Sequence, residues 1–218
     1  MRLLPSARAV APAARALPWW RWRVRLGIPV ACAVAWLAAP TPGSLVLGGA
    51  IALLGLLLRG LAAGTLHKHE TLTTSGPYAI TRNPLYLGSA LLAGGLLVAA
   101  HSWVAALLGI AYLAVFYPIA IRQEETKLRA RYGAAFDAYA ARVPRFLPRR
   151  LSAGTTRFRP SLALYRRNRE YQAALGLLIA LVFLWTKSAG LTADLVDATR
   201  RALGWPVDGM QQSDARPL

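Results

Sequence analysis

The sequence predicts an all-α integral membrane protein of about five transmembrane helices, and three observations predict it. Apolar residues make up 56% of the 218-residue chain, with a mean hydropathy of +0.37, too high for an ordinary soluble domain. They gather into five runs, 26–39, 44–58, 85–100, 102–121 and 173–186. The charge is sparse and one-sided: 26 Lys and Arg against 9 Asp and Glu, a net +17. If five helices alternate across a bilayer, twenty-two of those 26 basic residues fall on one side. By the positive-inside rule the N-terminus is then cytoplasmic, in a bacterial inner membrane, and the C-terminus outside.

Each element follows in order. Residues 1–25 are a basic cytoplasmic segment, in which Trp19, Trp20 and Trp22 with Arg21, Arg23 and Arg25 read as an interfacial anchor. A signal peptide's apolar region is the other reading, since small residues follow the Arg-rich stretch. A membrane core is expected over 26–148. Only the run 102–121 reaches the ~20 residues that span the hydrocarbon. The others reach it when flanks such as Arg25, Trp185 and Lys187 snorkel. His101 and Ser102 alone join the third and fourth helices, so these form a tight hairpin whose two ends return to the same face. Beyond it a charged helix carries Leu128, Tyr132, Phe136 and Tyr139 at spacings of four, four and three, on one face. That helix is expected to lie against the membrane or the preceding loop, and to end at Pro144 and Pro148. Residues 149–190 hold a basic, irregular stretch and the last span. Residues 191–218 are a weak amphipathic helix and a disordered tail.

The basic residues lie between apolar runs, which favours anionic lipid head groups over nucleic acid as partner. The lone Cys32 excludes an internal disulfide and a cysteine-based metal cluster. His67 and His69 have no third ligand in sight, so no metal site is expected.

Charged and aromatic residues beside helix ends are where chemistry is expected, because such groups are costly at a membrane edge. The hairpin brings two clusters together. One is Gly76-Pro77-Tyr78 with Arg82-Asn83-Pro84-Leu85-Tyr86-Leu87-Gly88; the other is Arg122, Glu124 and Glu125 with Tyr132-Gly133, Tyr139 and Val143-Pro144. Carboxylates one turn beyond a membrane helix can hold a ligand ammonium, and tyrosines in a Pro-broken loop an adenine or ribose. Gly88, Ser89, Gly94 and Gly95 let a ligand or another helix come close.

The segment Glu70 to Tyr78, the run Arg82 to Gly88, the pair Glu124-Glu125 and the pattern Tyr132-Gly133, Phe136-Asp137-Ala138-Tyr139, Pro144 together resemble the isoprenylcysteine carboxyl methyltransferase family, and more distantly phospholipid N-methyltransferases. The likeness covers about residues 59–148 and rests on the order of several short motifs. It implies a cytoplasmic-face site for S-adenosyl-L-methionine formed by Glu70, Thr71, Leu72, Thr73, Tyr78, Asn83, Pro84, Leu85, Tyr86 and Glu124. Asn83 and Glu70 stand where relatives have histidine. Ala120 stands where the eukaryotic enzymes have the arginine that engages a substrate carboxylate, and Arg122 is the nearest substitute. Asparagine keeps a donor and an acceptor but cannot become charged. The implied activity is methylation of a lipid-like or isoprenoid acceptor, by O- or N-transfer. Arg122 or Arg145 would orient a carboxylate, and Glu125 would take the proton from an amine. A NADPH-dependent lipid reductase, or a non-catalytic membrane protein of the same fold, are the alternatives.

Overall fold

In the computed structural model, residues 19–67, 71–148, 159–191, 196, 198 and 199 are described. Among them there are helices and no strand. The elements are α1 (Trp19–Leu37), α2 (Pro42–Ala63), α3 (Pro77–Ile80), α4 (Pro84–Ala100), α5 (Trp103–Tyr132), α6 (Ala134–Arg142), α7 (Leu162–Arg167) and α8 (Tyr171–Ser188). Each of the five apolar runs lies in its own long helix, so the protein is an all-α membrane protein. The number of clear spans is smaller than expected. Among the described residues α2, α5 and α8 are long and apolar enough to cross a membrane, and α4 is a shorter apolar helix. Its 17 residues reach about 25 Å, short of a ~30 Å hydrocarbon core. Helix α1 has the length, but Arg21, Arg23 and Arg25 occupy its first two turns.

Side chains and prolines set the helix ends. Thr41 and Ser44 form a reciprocal capping box at the start of α2, with Pro42 at the first helical position. The α4–α5 hairpin turns where His101 adopts a left-handed conformation (φ 49, ψ 42) and the Ser102 hydroxyl accepts from the Ala105 amide. The charged helix beyond the membrane is two helices, not one. Gly133, at φ 51, ends α5 and starts α6, a conformation glycine adopts without strain. Leu128 and Tyr132 are therefore on a different helix from Phe136 and Tyr139. The irregular stretch also differs from expectation in its described part, since residues 162–167 are helical behind an Ser161 cap. The basic segment 1–18, residues 149–158 and most of 192–218 lie outside the described residues.

Helices α2 and α4 form the centre of the bundle and meet backbone to backbone. A Cβ on Gly55 would come 2.5 Å from the Leu92 amide nitrogen, and one on Gly88 2.7 Å from the Arg59 Cγ. Gly48 and Gly95 face each other just as closely at the next level. This is the small-residue packing that membrane helices use where lipid offers no hydrophobic gain. Gly94, by contrast, has open space beside it. At one end of the bundle the Ala39 amide donates to the Ala100 carbonyl at 2.8 Å, and Lys187 Nζ donates to the Trp36 carbonyl at 2.6 Å. The outer faces stay apolar and uncovered: Val46 is 76% exposed and Ile179 61%, as lipid contact requires.

Candidate functional site

The other end of the bundle is polar, and there the chain closes around a cavity of about 650 Å³. Helix α2 contributes Arg59, and the loop after it Leu66, His67, Thr71, Leu72 and Thr73. Tyr78 comes from α3, and Arg82, Asn83, Pro84, Leu85, Tyr86 and Ser89 from the entry and first turns of α4. The extension of α5 supplies Glu124, Leu128, Arg131 and Tyr132, α6 supplies Tyr139, and α1 supplies Arg23. Of the ten residues expected around a cofactor, nine line this cavity. Glu70 lies outside the described residues.

The loop that carries Tyr78 and Asn83 is held by α6 and the chain just beyond it, which is the packing against the preceding loop that the sequence left open. The Tyr139 hydroxyl donates to the Tyr78 carbonyl at 2.7 Å, in a buried contact. The Arg82 amide donates to the Pro144 carbonyl at 2.9 Å, and Asn83 Nδ2 donates to the Arg145 carbonyl at 2.9 Å. Phe136 is fully buried, with its ring 6.3 Å from that of Tyr139, centroid to centroid. The Tyr86 ring meets Tyr117 edge-on, with centroids 5.7 Å apart.

Adjacent carboxylates on α5 go to different places. Residues one apart on a helix diverge by about 100°, so Glu124 faces the cavity while Glu125 is buried behind Asn83. Glu125 Oε2 accepts from Arg145 Nε at 2.9 Å and Nη2 at 2.6 Å, and Oε1 stands 3.4 Å from Arg82 Nε and 3.5 Å from Asn83 Nδ2. A buried carboxylate needs such partners. The Arg82 Nε is itself buried and, at that distance and alignment, makes no hydrogen bond. Arg122, Glu125 and Arg145 do not line the cavity. Arg122 lies about 200° round the helix from Glu124.

Three arginines and their partners escaped the sequence reading. Arg59 Nε donates to Glu170 Oε1 at 2.6 Å, while its Nη1 donates to the Ser89 hydroxyl and, at 3.4 Å, to the Leu85 carbonyl. This ties α2, the start of α4 and the foot of α8 together at the cavity wall. Arg23 and Arg131 also line the cavity. The signal for Arg59 was a cation embedded between Leu58 and Gly60 in an apolar context, which reads equally well as a snorkelling flank.

Two hydroxyls in the wall are held neutral. Burial pushes the Tyr78 phenol up, helped by Tyr139, Glu170 and Glu124 and opposed by Arg59. Burial likewise raises Tyr139, against the pull of Arg82. Both remain proton donors across the ordinary pH range. Among the described residues no three His, Cys, Asp or Glu side chains come together in a way that could hold a metal.

A cavity between helix ends at the polar face of an apolar bundle, lined by an Asn-Pro-Leu-Tyr helix start and a carboxylate from the facing helix, can be compared directly with known families. Residues 46–135 match the phospholipid methyltransferase family. That family belongs to the isoprenylcysteine carboxyl methyltransferase-like superfamily, the group the motifs resemble. The methyltransferase match runs from α2 through α5 and leaves out Arg23, Tyr139, Arg145 and Glu170. The chain is also similar to the cobalt-zinc-cadmium resistance protein CzcN of Cupriavidus metallidurans, 38% identical over 103 residues, which are 46% of this chain and 47% of that one. It is similar to the nickel-cobalt-cadmium resistance protein NccN of Alcaligenes xylosoxydans xylosoxydans, 41% identical over 83 residues, 38% of each chain. The chain thus spans less than half the length of these curated relatives. No solved structure matches it.

Proposed function

We propose that the protein is an S-adenosyl-L-methionine-dependent methyltransferase acting on a lipid-like or isoprenoid acceptor at the membrane. The observation that carries this reading is the convergence of Thr71–Thr73, Tyr78, Asn83–Tyr86 and Glu124 on one cavity, within a segment that matches a methyltransferase family. The volume of about 650 Å³ is that of a small-molecule site.

The donor set fits the cofactor. The Glu124 carboxylate suits an ammonium, and the neutral Tyr78 hydroxyl can donate to ribose or adenine, while the Tyr139 hydroxyl donates to the Tyr78 carbonyl. Tyr86 and Tyr132 offer aromatic faces, and Arg82, which also lines the cavity, offers a cation to a carboxylate. When bound, the cofactor supplies a methyl group on a sulfonium, transferred by in-line displacement. The residues then have to align and to exclude water rather than to form covalent bonds. Asn83 and Arg82 are fixed by Glu125 and the Arg145 carbonyl, so their geometry is set before a ligand arrives. In this reading Glu125 is the counter-ion that holds Arg82 and Arg145, and both Arg145 and Glu125 act through the loop. The acceptor enters sideways between helices, and the cofactor from the polar end. The metal-resistance names of the two relatives point to a cellular setting for such a modification, not to its chemistry.

The test is calorimetric titration of the purified protein in nanodiscs with S-adenosylhomocysteine. Saturable, micromolar binding is expected. A folded protein that binds NADPH instead would move the reading to a reductase, and one that binds neither to a non-catalytic membrane protein.

A further inference from the structure

We propose that the cleft between α1, α4 and α5 is the head-group subsite for a lipid acceptor bearing an acidic group, a carboxylate or a phosphate, with Arg23 and Lys127 as its cationic walls. The inference rests on the methyltransferase reading for the identity of the neighbouring cavity.

Beside the main cavity lies a smaller one of about 140 Å³. The two share Arg23, Tyr86 and Glu124, so occupants of the two would lie against each other across those side chains. The smaller one divides by polarity. Phe116, Ile119 and Ala120 form its apolar side, and Arg23, Gln123 and Lys127 its polar rim. Such a division fits an amphiphile, with the chain along the apolar side and the head group at the rim. The apolar side continues outward over exposed Ile28 of α1 and Val115 of α5, surfaces that lipid covers.

Charge selects the kind of head group. The rim holds two cations, and the only carboxylate, Glu124, is on the wall shared with the main cavity. An acidic group between Arg23 and Lys127 gains charge-assisted donors from both, and Arg23 can offer two of them in parallel. A neutral head group leaves Glu124 as the single carboxylate of the lining against both cations.

Arg23 is placed there by the fold. The Tyr112 hydroxyl donates to the Arg23 carbonyl at 2.8 Å. One turn on, Gly27 makes room for that ring, since a Cβ would come 2.9 Å from the same hydroxyl. Helix α1 is thereby seated on α5 at the level that brings Arg23 to both cavities. Residue 23 lies outside the segment that matches the methyltransferase family, so the selectivity is contributed by an element that the match does not include.

The test uses the full chain in pure phosphatidylcholine nanodiscs, where no anionic bilayer lipid competes. The probes are a photoactivatable long-chain fatty acid and the corresponding fatty alcohol. The acid is expected to label peptides covering 19–30 and 112–127 about tenfold more than the alcohol, a difference of about 1.4 kcal/mol. An alkyl phosphate should compete, and inorganic phosphate should not. Arg23→Gln and Lys127→Gln should lower acid labelling towards the alcohol level, and Arg23→Lys should restore part of it. Equal labelling by acid and alcohol, labelling spread over all lipid-facing helices, full competition by inorganic phosphate, or discrimination surviving in the double Gln variant each overturn the inference. S-adenosylhomocysteine affinity is measured on the same wild-type sample. Binding without acid discrimination overturns this inference alone; acid discrimination without binding keeps the acidic-lipid cleft and overturns the methyltransferase reading.

Discussion

Glu124 and Glu125 differ by one position and have opposite surroundings, and that contrast yields two separable predictions. Glu124→Ala should weaken S-adenosylhomocysteine binding at least about tenfold, about 1.4 kcal/mol, with the fold intact by circular dichroism; unchanged affinity would remove Glu124 from the site. Glu125→Gln leaves the Arg82 and Arg145 guanidinium groups facing a neutral amide. Loss of one partner of a buried pair costs about 3–5 kcal/mol. The low end is expected because the Arg145 side chain is 51% exposed. Thermal unfolding in detergent measures this, and a fully stable variant that binds cofactor yet cannot methylate would instead make Glu125 a proton acceptor. Tyr78 and Tyr139 give a pH signature. Their folded values are raised above the ordinary phenol value of 10.0, so the stability they contribute is present below that pH and is lost as pH rises through the folded values. Alkaline absorbance titration should therefore show both tyrosines ionising after the exposed ones, together with unfolding; two phenols titrating normally in a folded protein would contradict their burial. The sequence made the cavity residues legible because their types and order form a motif. It put Glu124 with the cofactor and gave Glu125 a proton-accepting role, but did not show that Glu125 is buried away from the cavity behind Asn83, which depends on helix phase, nor pair Arg59 with Glu170, which lies 111 positions away.

At the scale of elements, the close meeting of α2 and α4 decides how the cavity is held. Gly55 on α2 faces the α4 backbone at Leu92, so Gly55→Val places two methyl groups where a single Cβ already stands at 2.5 Å. Backbone cannot yield as a side-chain tip can, and overpacking of this kind costs about 1–3 kcal/mol or more. Because Arg59 is one turn further along α2 and grips Leu85 and Ser89, separation of the helices should also pull at the cavity wall. The expected result is a lower melting temperature together with weaker S-adenosylhomocysteine binding, whereas Gly94→Val, with open space around it, should change neither. Equal tolerance of both substitutions would contradict the packing. The hairpin at His101–Ser102 was readable from two residues between two apolar runs. The break at Gly133 was not, because a helical spacing pattern continues straight through a glycine until its φ is known. The small-residue seam was only half readable: Gly88 and Gly95 were noticed beside the motif, but Gly48 and Gly55 sit in a run where nothing marks them as facing another helix.

Across the whole molecule the polar and apolar ends carry the argument about orientation. Arg59, Arg82, Glu124 and Arg145 cluster with the cavity at one end, while the α1–α2 turn, the α4–α5 turn and Lys187 meet at the other through the Ala39–Ala100 and Lys187–Trp36 hydrogen bonds. The α1–α2 and α4–α5 turns carry no Lys or Arg, and the cavity end is rich in Arg. The positive-inside rule predicts a cavity on the cytoplasmic side, where S-adenosyl-L-methionine would be supplied and where the proposed acidic-lipid cleft would face the anionic leaflet. Single-cysteine labelling tests this cleanly because Cys32 is the chain's one cysteine. In a Cys32→Ser background, Gly43→Cys occupies open space in the first turn of α2, beside the α1–α2 turn, and Thr74→Cys lies exposed in the loop beside the cavity. A membrane-impermeant maleimide on intact cells should label Gly43→Cys, and should reach Thr74→Cys only after permeabilisation. The reverse pattern would place the cavity on the outer face, away from any cytoplasmic supply of S-adenosyl-L-methionine, and the methyltransferase reading would fall with the orientation. Labelling of both in intact cells would mean that the two ends of the bundle are not separated by a bilayer, which the exposed apolar faces of α2, α5 and α8 argue against.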